Sequence, residues 1–382
     1  MSWPGILFLF IAIGALVTPK CGAAVRDWTG GSSGYWSDPN NWNPVGVPQN
    51  GERLNIHQVA HKIMTNDLIN LTVNLDFEDH DFGLFGNTIT LVGGSFATAI
   101  SLTECADSTV NIYCGLILGG DAKVLVGAGT DFSGSTLELH LRGPVNLNGH
   151  TLTLTGFTIA GVVLGMSYSE DGLIDVAGPI TGTGTVHGEI YDGSTLIFSG
   201  PDANTFSGPM ILQRLTSPNA PVPTITLNKQ SVPVMNDQLI ILGAATVKCG
   251  QPNQIGDNAT VSLTAGSRLL LQNHSDTIGS LYMTNVSSDA LATFVDTGGA
   301  ILSVQGNLGA TNSSLSLIPT IQGFVELTSG NHTITVNSGA LLYGIDLQCA
   351  LMGAGGFIKN GAATLLLQGN NSFTGNLVVS SG

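Results

Sequence analysis

The chain has 382 residues, of which only 10% are charged, and its formal net charge is −15 with 11 Lys plus Arg residues. Because cations are so few, the sequence has no basic stripe, which argues against nucleic acids and anionic lipid surfaces as partners. The hydrophobic fraction is 43%, and it is spread in short alternating runs. This composition is typical of β-structure whose surface is covered by Ser, Thr and Asn instead of charged side chains.

The first 24 residues have the pattern of a secretory signal. Ile6–Val17 is an apolar run that is too short to span a bilayer, and the small residues Gly22 to Ala24 follow it. Cys21 is preceded by Thr-Pro-Lys, which argues against a lipid anchor. Segment 1–24 is therefore predicted to be removed on export, and the rest of the chain shows no further run that is apolar and long enough to cross a membrane.

The next segment, 25–56, is rich in aromatic side chains: Trp28, Trp36 and Trp42 lie in it, with Tyr35 among them. One interpretation is a platform for sugar rings. The other is an amino-terminal cap, because the ends of a solenoid must be covered and terminal repeats differ from internal ones for this reason. We favour the cap.

Residues 57–382 contain many short β-patterns separated by Gly, Asn, Asp or Pro. The best helical candidate, His57 to Asn70, is weak. A sandwich or an antiparallel barrel would also fit strands at this spacing, but Asn-Gly hairpin signals are few, so we favour a parallel solenoid. The predicted strands are Leu71–Phe77, Thr88–Val92, Thr109–Tyr113, Thr136–Leu141, Thr151–Thr155, Leu173–Val176, Thr195–Ser199, Thr224–Leu227, Leu239–Leu242, Thr260–Thr264, Arg268–Gln272, Leu281–Thr284, Ala300–Val304, Ser314–Leu317, Phe324–Leu327, Thr333–Val336, Ala340–Tyr343, Phe357–Lys359, Thr364–Gln368 and Asn376–Ser380.

The densest group of ionisable residues contains Asp76, Glu78 and Asp81. Asp76 and Glu78 alternate with apolar residues, so they are expected on one face of a strand, about 7 Å apart. Such oxygens suit calcium, and acidic groups on one sheet also serve in polysaccharide-cleaving enzymes. The simplest interpretation is a solvated strand end followed by an Asp-rich turn.

Four cysteines follow the predicted signal, and no C-x-x-C motif is present. Cys105 and Cys114 are nine residues apart, and an exported chain meets oxidising conditions, so a disulfide between them is one prediction. Two buried thiols are the alternative, since spacing alone does not fix the geometry of a disulfide. For Cys249 and Cys349 we expect buried thiols that act as small apolar side chains.

Two stretches, 182–213 and 353–382, share one pattern of strand, glycine turn and strand, which is the mark of a solenoid. An insertion of two residues, Pro201 and Asp202, separates the halves of the first copy. Thr195, Leu196, Phe198, Gly200, Asn204, Phe206 and Gly208 of the first stretch match Thr364, Leu365, Leu367, Gly369, Asn371, Phe373 and Gly375 of the second.

Both stretches resemble the autotransporter-associated β-strand repeat, also called the passenger-associated transport repeat. Gly355, Lys359 and Gly361 also fit its pattern, whereas the first copy has His187 near the position of the lysine. The resemblance implies a right-handed parallel β-helix in an exported bacterial protein. Because the chain stops at Gly382 partway through a repeat, we expect the natural gene product to be longer or this copy to be truncated.

The leading hypothesis is a non-catalytic, exported or cell-surface β-helix that serves as a structural stalk, a surface-layer component or an adhesin-like passenger, with surface polysaccharides or other surface proteins as its partners. One alternative is a polysaccharide-active enzyme that uses Asp76, Glu78 or Asp81, which would need a groove lined by carboxylates and a basic residue. Another is a calcium-dependent carbohydrate-binding module. We expect no cofactor, with calcium as the alternative, and the motifs of a P-loop, a zinc protease and a serine-hydrolase elbow do not occur.

Overall fold

A computed structural model describes residues 23–57, 61–78, 81–93, 98–103, 107–127, 136–157, 161–163, 166–168, 171–215, 223–286, 289–314, 316–338 and 343–381. Residues 1–22 of the predicted signal, Cys105, and residues 340–342 of one predicted strand lie outside these ranges. The signal and the domain boundaries near residues 24 and 56 stay predictions.

The described chain forms a solenoid of β-strands, here numbered in chain order, with a turn of 3-10 helix at Pro39–Asn41. Sheet 1 pairs, in order along the axis, β1 Val25–Trp28, β3 Arg53–Ile56, β5 Leu71–Phe77, β8 Thr98–Leu102, β11 Ala122–Gly127, β14 Thr151–Phe157, β19 Thr185–Tyr191, β21 Pro209–Leu215, β23 Gln238–Leu242, β25 Thr260–Thr264, β28 Ser280–Asn285, β30 Leu308–Asn312, β32 Asn331–Ser338, β35 Gly356–Asn360 and β37 Leu377–Val379.

Sheet 2 forms the second wall of the solenoid, and a short sheet 3 forms a third wall near the amino-terminal end. Sheet 2 contains β4 Ile63–Asn66, β6 Phe82–Gly86, β9 Ser108–Ile112, β12 Thr136–Leu141, β17 Asp171–Val176, β20 Thr195–Phe198, β22 Thr224–Leu227, β24 Thr246–Cys249, β26 Arg268–Leu270, β27 Asp276–Ile278, β29 Phe294–Val304, β31 Thr320–Leu327, β33 Tyr343–Leu347, β34 Ala350–Met352 and β36 Thr364–Leu367. In sheet 3 each strand pairs with the next, in the order first half of β5, β7 Ile89–Leu91, β10 Leu116–Leu118, β13 Val145–Asn146 and β18 Ile180–Thr181.

Nearly all strand pairs in the described residues are parallel. The exceptions are β2, Trp42–Asn43, against β1, and the hairpin of β15, Gly161–Val163, with β16, Met166–Tyr168. The prediction of an all-β parallel solenoid is therefore confirmed, and the antiparallel sandwich is wrong. The right-handed coil and the capping role of segment 25–56 stay predictions.

Alternation along each strand builds the interior. In β20, Leu196 and Phe198 are fully buried while their neighbours are half-exposed. Leu196 is in register with Ile174 of the preceding rung and Ile225 of the following one, so each apolar side chain covers its equivalent. Burying such a side chain contributes about 1.5–3 kcal/mol. No rung can obtain this stabilisation alone, because the covering surface belongs to its neighbours.

The two predicted repeat copies occupy equivalent places in the solenoid. In each copy a strand of sheet 1 leads to a strand of sheet 2 that starts at Thr195 or Thr364, and the chain then returns to sheet 1. Gly200 has φ +90°, and a Cβ atom there would collide with the carbonyl of Ala177 on the preceding rung. The other motif glycines approach the preceding or following rung equally closely: Gly208, Gly355, Gly361, Gly369 and Gly375.

The motif asparagines connect successive rungs. The side-chain oxygen of Asn204 accepts from the backbone N–H of Ile180 at 2.8 Å, and its amide donates to the carbonyl of Val234 at 2.8 Å. Asn371 makes the first of these bonds, accepting from Leu351 N–H at 3.0 Å. At these corners the backbone is no longer paired with neighbouring strands. The asparagine side chain therefore supplies the hydrogen bonds that the backbone N–H and carbonyl groups need.

The motif aromatics pack inward as expected. Phe206 is buried, and the ring of Phe373 packs against the core with its centroid 5.4 Å from that of Phe357. Leu365 is partly buried against the core. The exposure of the last rung reflects its position, because no later rung of the described chain covers it.

Lys359 points into the solenoid, where its ammonium donates to the carbonyl of Ser381 at 2.7 Å. The pairing register leads from Lys359 through Ile334 and the strands before it to Val186. His187 therefore lies one position after the equivalent of this lysine, near it as the sequence indicated. His187 faces outward beside Glu189.

Two further expectations differ from the structure. Segment 57–70 contains strand β4, Ile63–Asn66, and no helix among its described residues. The predicted strand Ser314–Leu317 is wrong: β30 ends at Asn312, and the hydroxyl of Ser314 accepts from the N–H of Leu317 at 3.1 Å. A serine side chain that bonds a nearby backbone N–H in this way competes with the hydrogen bonds of a sheet.

We predict that Asn204→Ala destabilises the protein by about 2–4 kcal/mol, because it leaves one N–H and one carbonyl unpaired in the interior. Asn371→Ala, at the exposed equivalent position, should cost less than about 1 kcal/mol. Urea unfolding of the two variants and the unmodified protein measures both values. Equal losses at the two positions would contradict this role of the asparagine.

Candidate functional site

The acidic residues singled out in the sequence are divided between two sheets. Asp76 lies on the outward face of sheet 1, where it accepts from the guanidinium of Arg53 at 2.8 Å. Glu78, just beyond β5, pairs with His57. Asp81 precedes β6 of sheet 2 and accepts from the N–H of Thr109 at 2.9 Å.

The acidic side chains therefore serve contacts between neighbouring rungs and do not converge on one groove. Within the described ranges, no group of three or more His, Cys, Asp or Glu side chains is arranged to hold a metal ion.

The tryptophans of segment 25–56 form a buried cluster. Trp42 packs edge-to-face against Trp28, with centroids 4.9 Å apart, and against Trp36 at 5.7 Å. All three indoles are fully buried, and a buried ion pair between Arg26 and Glu52 lies in the same segment. With no exposed ring face, this cluster cannot act as the sugar platform that the sequence allowed.

The cysteines of the described chain are buried free thiols. Burial raises the pKa of Cys114 and of Cys349 to about 12, and it raises the pKa of Cys249 further. Thiols held protonated in this way are poor nucleophiles. Because Cys105 lies outside the described residues, its disulfide with Cys114 stays a prediction.

A polar cluster that sequence reasoning missed lies on the outward face of sheet 2. His140 is centred in it, with Nδ1 3.2 Å from Asp175 and Nε2 3.2 Å from Glu138. Arg142 donates to Asp175 at 3.4 Å, and the hydroxyl of Ser199 donates to the same carboxylate at 2.6 Å. His140 and Asp175 are 35 residues apart in sequence but in register on adjacent strands.

The electrostatics of this cluster hold Asp175 in its charged form. Burial alone would raise its pKa, but hydrogen bonds from His140 and Ser199, together with the charge of Arg142, outweigh burial and hold the pKa below its usual value. A carboxylate with these three partners is a poor general base. Glu138 is more exposed, with 37% of its side chain accessible.

A groove of about 530 Å³ lies beside the cluster. Arg142 and Asp202 bring one charge of each sign to it, and the remaining lining is neutral, with polar side chains beside the apolar Ala177 and Pro201. This surface can donate and accept hydrogen bonds. Its other side chains with polar groups are Ser199, Asn228, Gln230 and Gln251.

Two ionisable groups are buried at the ends of strands of sheet 2: Lys229 follows β22, and Asp276 is the first residue of β27. Lys229 is fully buried, and its ammonium donates to the carbonyl of Ser199 at 2.9 Å and lies 3.4 Å from those of Ala177 and Gly178. Desolvation lowers the pKa of Lys229 to about 8. In the sequence it reads as an ordinary loop lysine, because nothing nearby reveals that the loop turns inward.

Asp276 has the opposite shift. It is buried and accepts from the N–H groups of Gln254 at 2.8 Å and Thr277 at 2.9 Å. Desolvation raises its pKa to about 7, although these hydrogen bonds oppose the change. The two groups are linked, because Gln254 also donates to the carbonyl of Lys229 at 2.9 Å.

Comparison with protein-family models, curated proteins and solved structures finds no match to this chain. The parallel solenoid therefore rests on the structure, and membership of the autotransporter-associated repeat family stays a prediction from the residues of the two repeat copies.

We predict that Asp276 makes the protein less stable as pH rises from about 4 to about 7. In this window the folded state keeps a proton that the unfolded chain has lost, so the contribution is complete at the acidic end and absent above pH 7. Three pH units set an upper limit of about 4 kcal/mol. Urea unfolding at pH 5 and pH 8 measures the difference.

The Asp276→Asn variant should lose this pH dependence, because an amide does not titrate in this range. Asp107→Asn, at an exposed carboxylate that accepts from the backbone N–H of Thr136, is the control and should keep the slope of the unmodified protein. An unchanged slope in Asp276→Asn would show that another group causes it.

Proposed function

We propose that this chain is a non-catalytic β-solenoid, exported by a bacterium and displayed at the cell surface as a rod that contacts polysaccharides or other surface proteins. The observation that carries the proposal is that its acidic side chains are paired with basic side chains of the fold. Asp76, Glu78 and Asp175 each contact a basic side chain on a neighbouring strand or just beyond its end. Carboxylates used in this way stabilise the stack of rungs and are not available as an acid and base pair.

Several features support a surface role. The repeat residues, from Thr195 to Gly208 and from Gly355 to Gly375, occupy equivalent corners and strands in the solenoid, as the resemblance to exported repeat proteins requires. Outward positions of β14, β22 and β25 are dominated by Thr and Ser. Separately from this support, no helix within the described ranges is long and apolar enough to cross a membrane.

A polysaccharide-active enzyme is the second candidate, and one observation favours it. Arg142 and Asp202 line the groove beside Glu138 and Asp175, which gives the combination of carboxylates and a basic residue that such an enzyme needs. The low pKa of Asp175 argues against it, since a glycosidase acid needs a raised pKa. An Asp202→Asn variant that abolishes release of reducing ends from a polysaccharide would establish this activity.

Calcium-dependent sugar binding at Asp76, Glu78 and Asp81 is the third candidate. The separation of Asp81 from the other two weakens it. A rise in the thermal midpoint on calcium addition, absent in Asp76→Asn, would support such a site.

We predict that the full chain, expressed in a Gram-negative host, leaves the cytoplasm and loses the segment that ends near Ala24. The physical reason is the apolar run Ile6–Val17, which has the length of a signal and not of a membrane span. Cell fractionation and mass spectrometry of the mature amino terminus measure both outcomes. A Leu9→Arg variant, which interrupts the run, should remain in the cytoplasm, and an uncleaved cytoplasmic product from the unmodified chain would contradict export.

A further inference from the structure

Exposed aromatic rings lie in a column on the outward face of sheet 2, at its first rungs. Phe85 and Tyr113 are 38% and 46% exposed, and their rings stack with centroids 4.4 Å apart and an interplanar angle of 7°. Tyr35, 55% exposed, forms a parallel bridge with Thr65, which is in register with Phe85. We call the column of Tyr35, Thr65, Phe85 and Tyr113 the aromatic column.

Between Tyr35 and Phe85 the aromatic column has the short side chain of Thr65. Successive rungs are about 4.8 Å apart, so the backbones of Tyr35 and Phe85 are separated by about 9.6 Å.

A groove of about 480 Å³ runs beside the aromatic column. Gly83 lines this groove and has no side chain to fill it. A Cβ atom at this position would lie only 3.1 Å from the ring of Phe85. Lys62, Asp81 and Asn111 line it and bring a cation, an anion and an amide to the same surface. The groove therefore offers both hydrogen-bond donors and hydrogen-bond acceptors. The charges of Lys62 and Asp81 have opposite signs and cancel.

We propose that the aromatic column and this groove bind a neutral polysaccharide, with pyranose rings against Tyr35, Phe85 and Tyr113 and sugar hydroxyls on the polar side chains of the groove. Aromatic faces contact the C–H face of a sugar, and hydroxyls can pair with groups of either charge. An acidic polymer is disfavoured by the net charge of −15. An apolar peptide would cover the charged group of Lys62 without offering it a hydrogen bond.

This inference deepens the proposed surface role and rests on it, because it names the class of molecule that the rod contacts. Affinity electrophoresis of the purified protein tests it, in gels that contain hydroxyethylcellulose, xyloglucan, glucomannan or soluble starch. Alginate and polygalacturonate are the acidic probes. We expect at least one neutral polymer to retard the protein and the acidic probes to have little effect.

The Phe85→Ala/Tyr113→Ala double variant should weaken the apparent Kd by about tenfold or more, because it removes both aromatic contacts. Tyr282→Ala is the matched control: its side chain is 42% exposed but lies on sheet 1, so the Kd should change less than about twofold. Circular dichroism and the thermal midpoint establish that each variant is folded.

Three results would overturn the inference: no retardation of the folded, unmodified protein in any neutral gel, retardation by the acidic polymers alone, or equal losses in the double variant and Tyr282→Ala. Sedimentation velocity adds a fourth, since a dimer that the double variant converts to a monomer would assign the column to a second copy of the chain. Export is measured separately. A protein that reaches the cell surface but binds none of these polymers would leave the proposed function intact and overturn the sugar site.

Discussion

The hydrogen-bonded register between successive rungs is the constraint on which the rest of this solenoid depends. Once Leu196 is placed beside Ile174 and Ile225, every other side chain of β20 has its neighbours fixed. A slip of one residue would turn the apolar face of the strand toward water. The register therefore holds the core together, and it also decides which outward side chains meet.

The corners present a different problem, because the chain leaves the sheets there and its peptide groups lose their ladder partners. Side chains take over this role at Asn204, Lys229 and Gln254, and at Asp276 where β27 begins, and each bonds the backbone of another rung. Desolvation shifts the pKa of Lys229 down and that of Asp276 up, since a charge in the interior is unfavourable in either sign. That these residues remain buried shows how strongly unpaired corner peptides would destabilise the fold.

The strands were predictable from the sequence because their signal is local. Thr136–Leu141, Thr224–Leu227 and Thr260–Thr264 begin and end where the alternation of apolar residues predicted. The prediction of a strand at Ser314–Leu317 was wrong because the Ser314 hydroxyl accepts from the backbone N–H of Leu317. The alternation of apolar residues does not reveal such a bond. The solenoid itself followed from the two repeat copies, whose turns need glycine for a close approach between rungs.

The candidate site was beyond sequence reasoning, because its residues meet only through the register. Asp76 and Asp81 are close in sequence, yet a corner places them on different sheets. His140 and Asp175 are far apart in sequence, yet they lie side by side because the intervening coil closes in register. Corner lengths in this chain vary from rung to rung, so no fixed period links such pairs. The same reason hid the stacking of Phe85 on Tyr113.

The use of charge in this molecule limits how its surface can recognise a partner. Most of the 11 Lys and Arg residues are engaged within the chain. Arg26, Arg53, Lys123, Arg142 and Arg214 pair with carboxylates, Lys229 and Lys359 donate to backbone carbonyls, and Arg268 lies over the ring of Phe294 at 4.8 Å.

A surface whose cations are already committed cannot attract an anionic partner strongly, and exposed ion pairs contribute little affinity of their own. In the proposed surface role, recognition would therefore depend on hydrogen-bonding side chains with little net charge and on the few exposed rings. The tryptophans are the strongest aromatic signal in the sequence, but they are buried against one another and are not among the exposed rings. Phe85 and Tyr113 carry a weaker signal in the sequence. They remain available to a ligand because sheet 2 presents them outward on adjacent rungs.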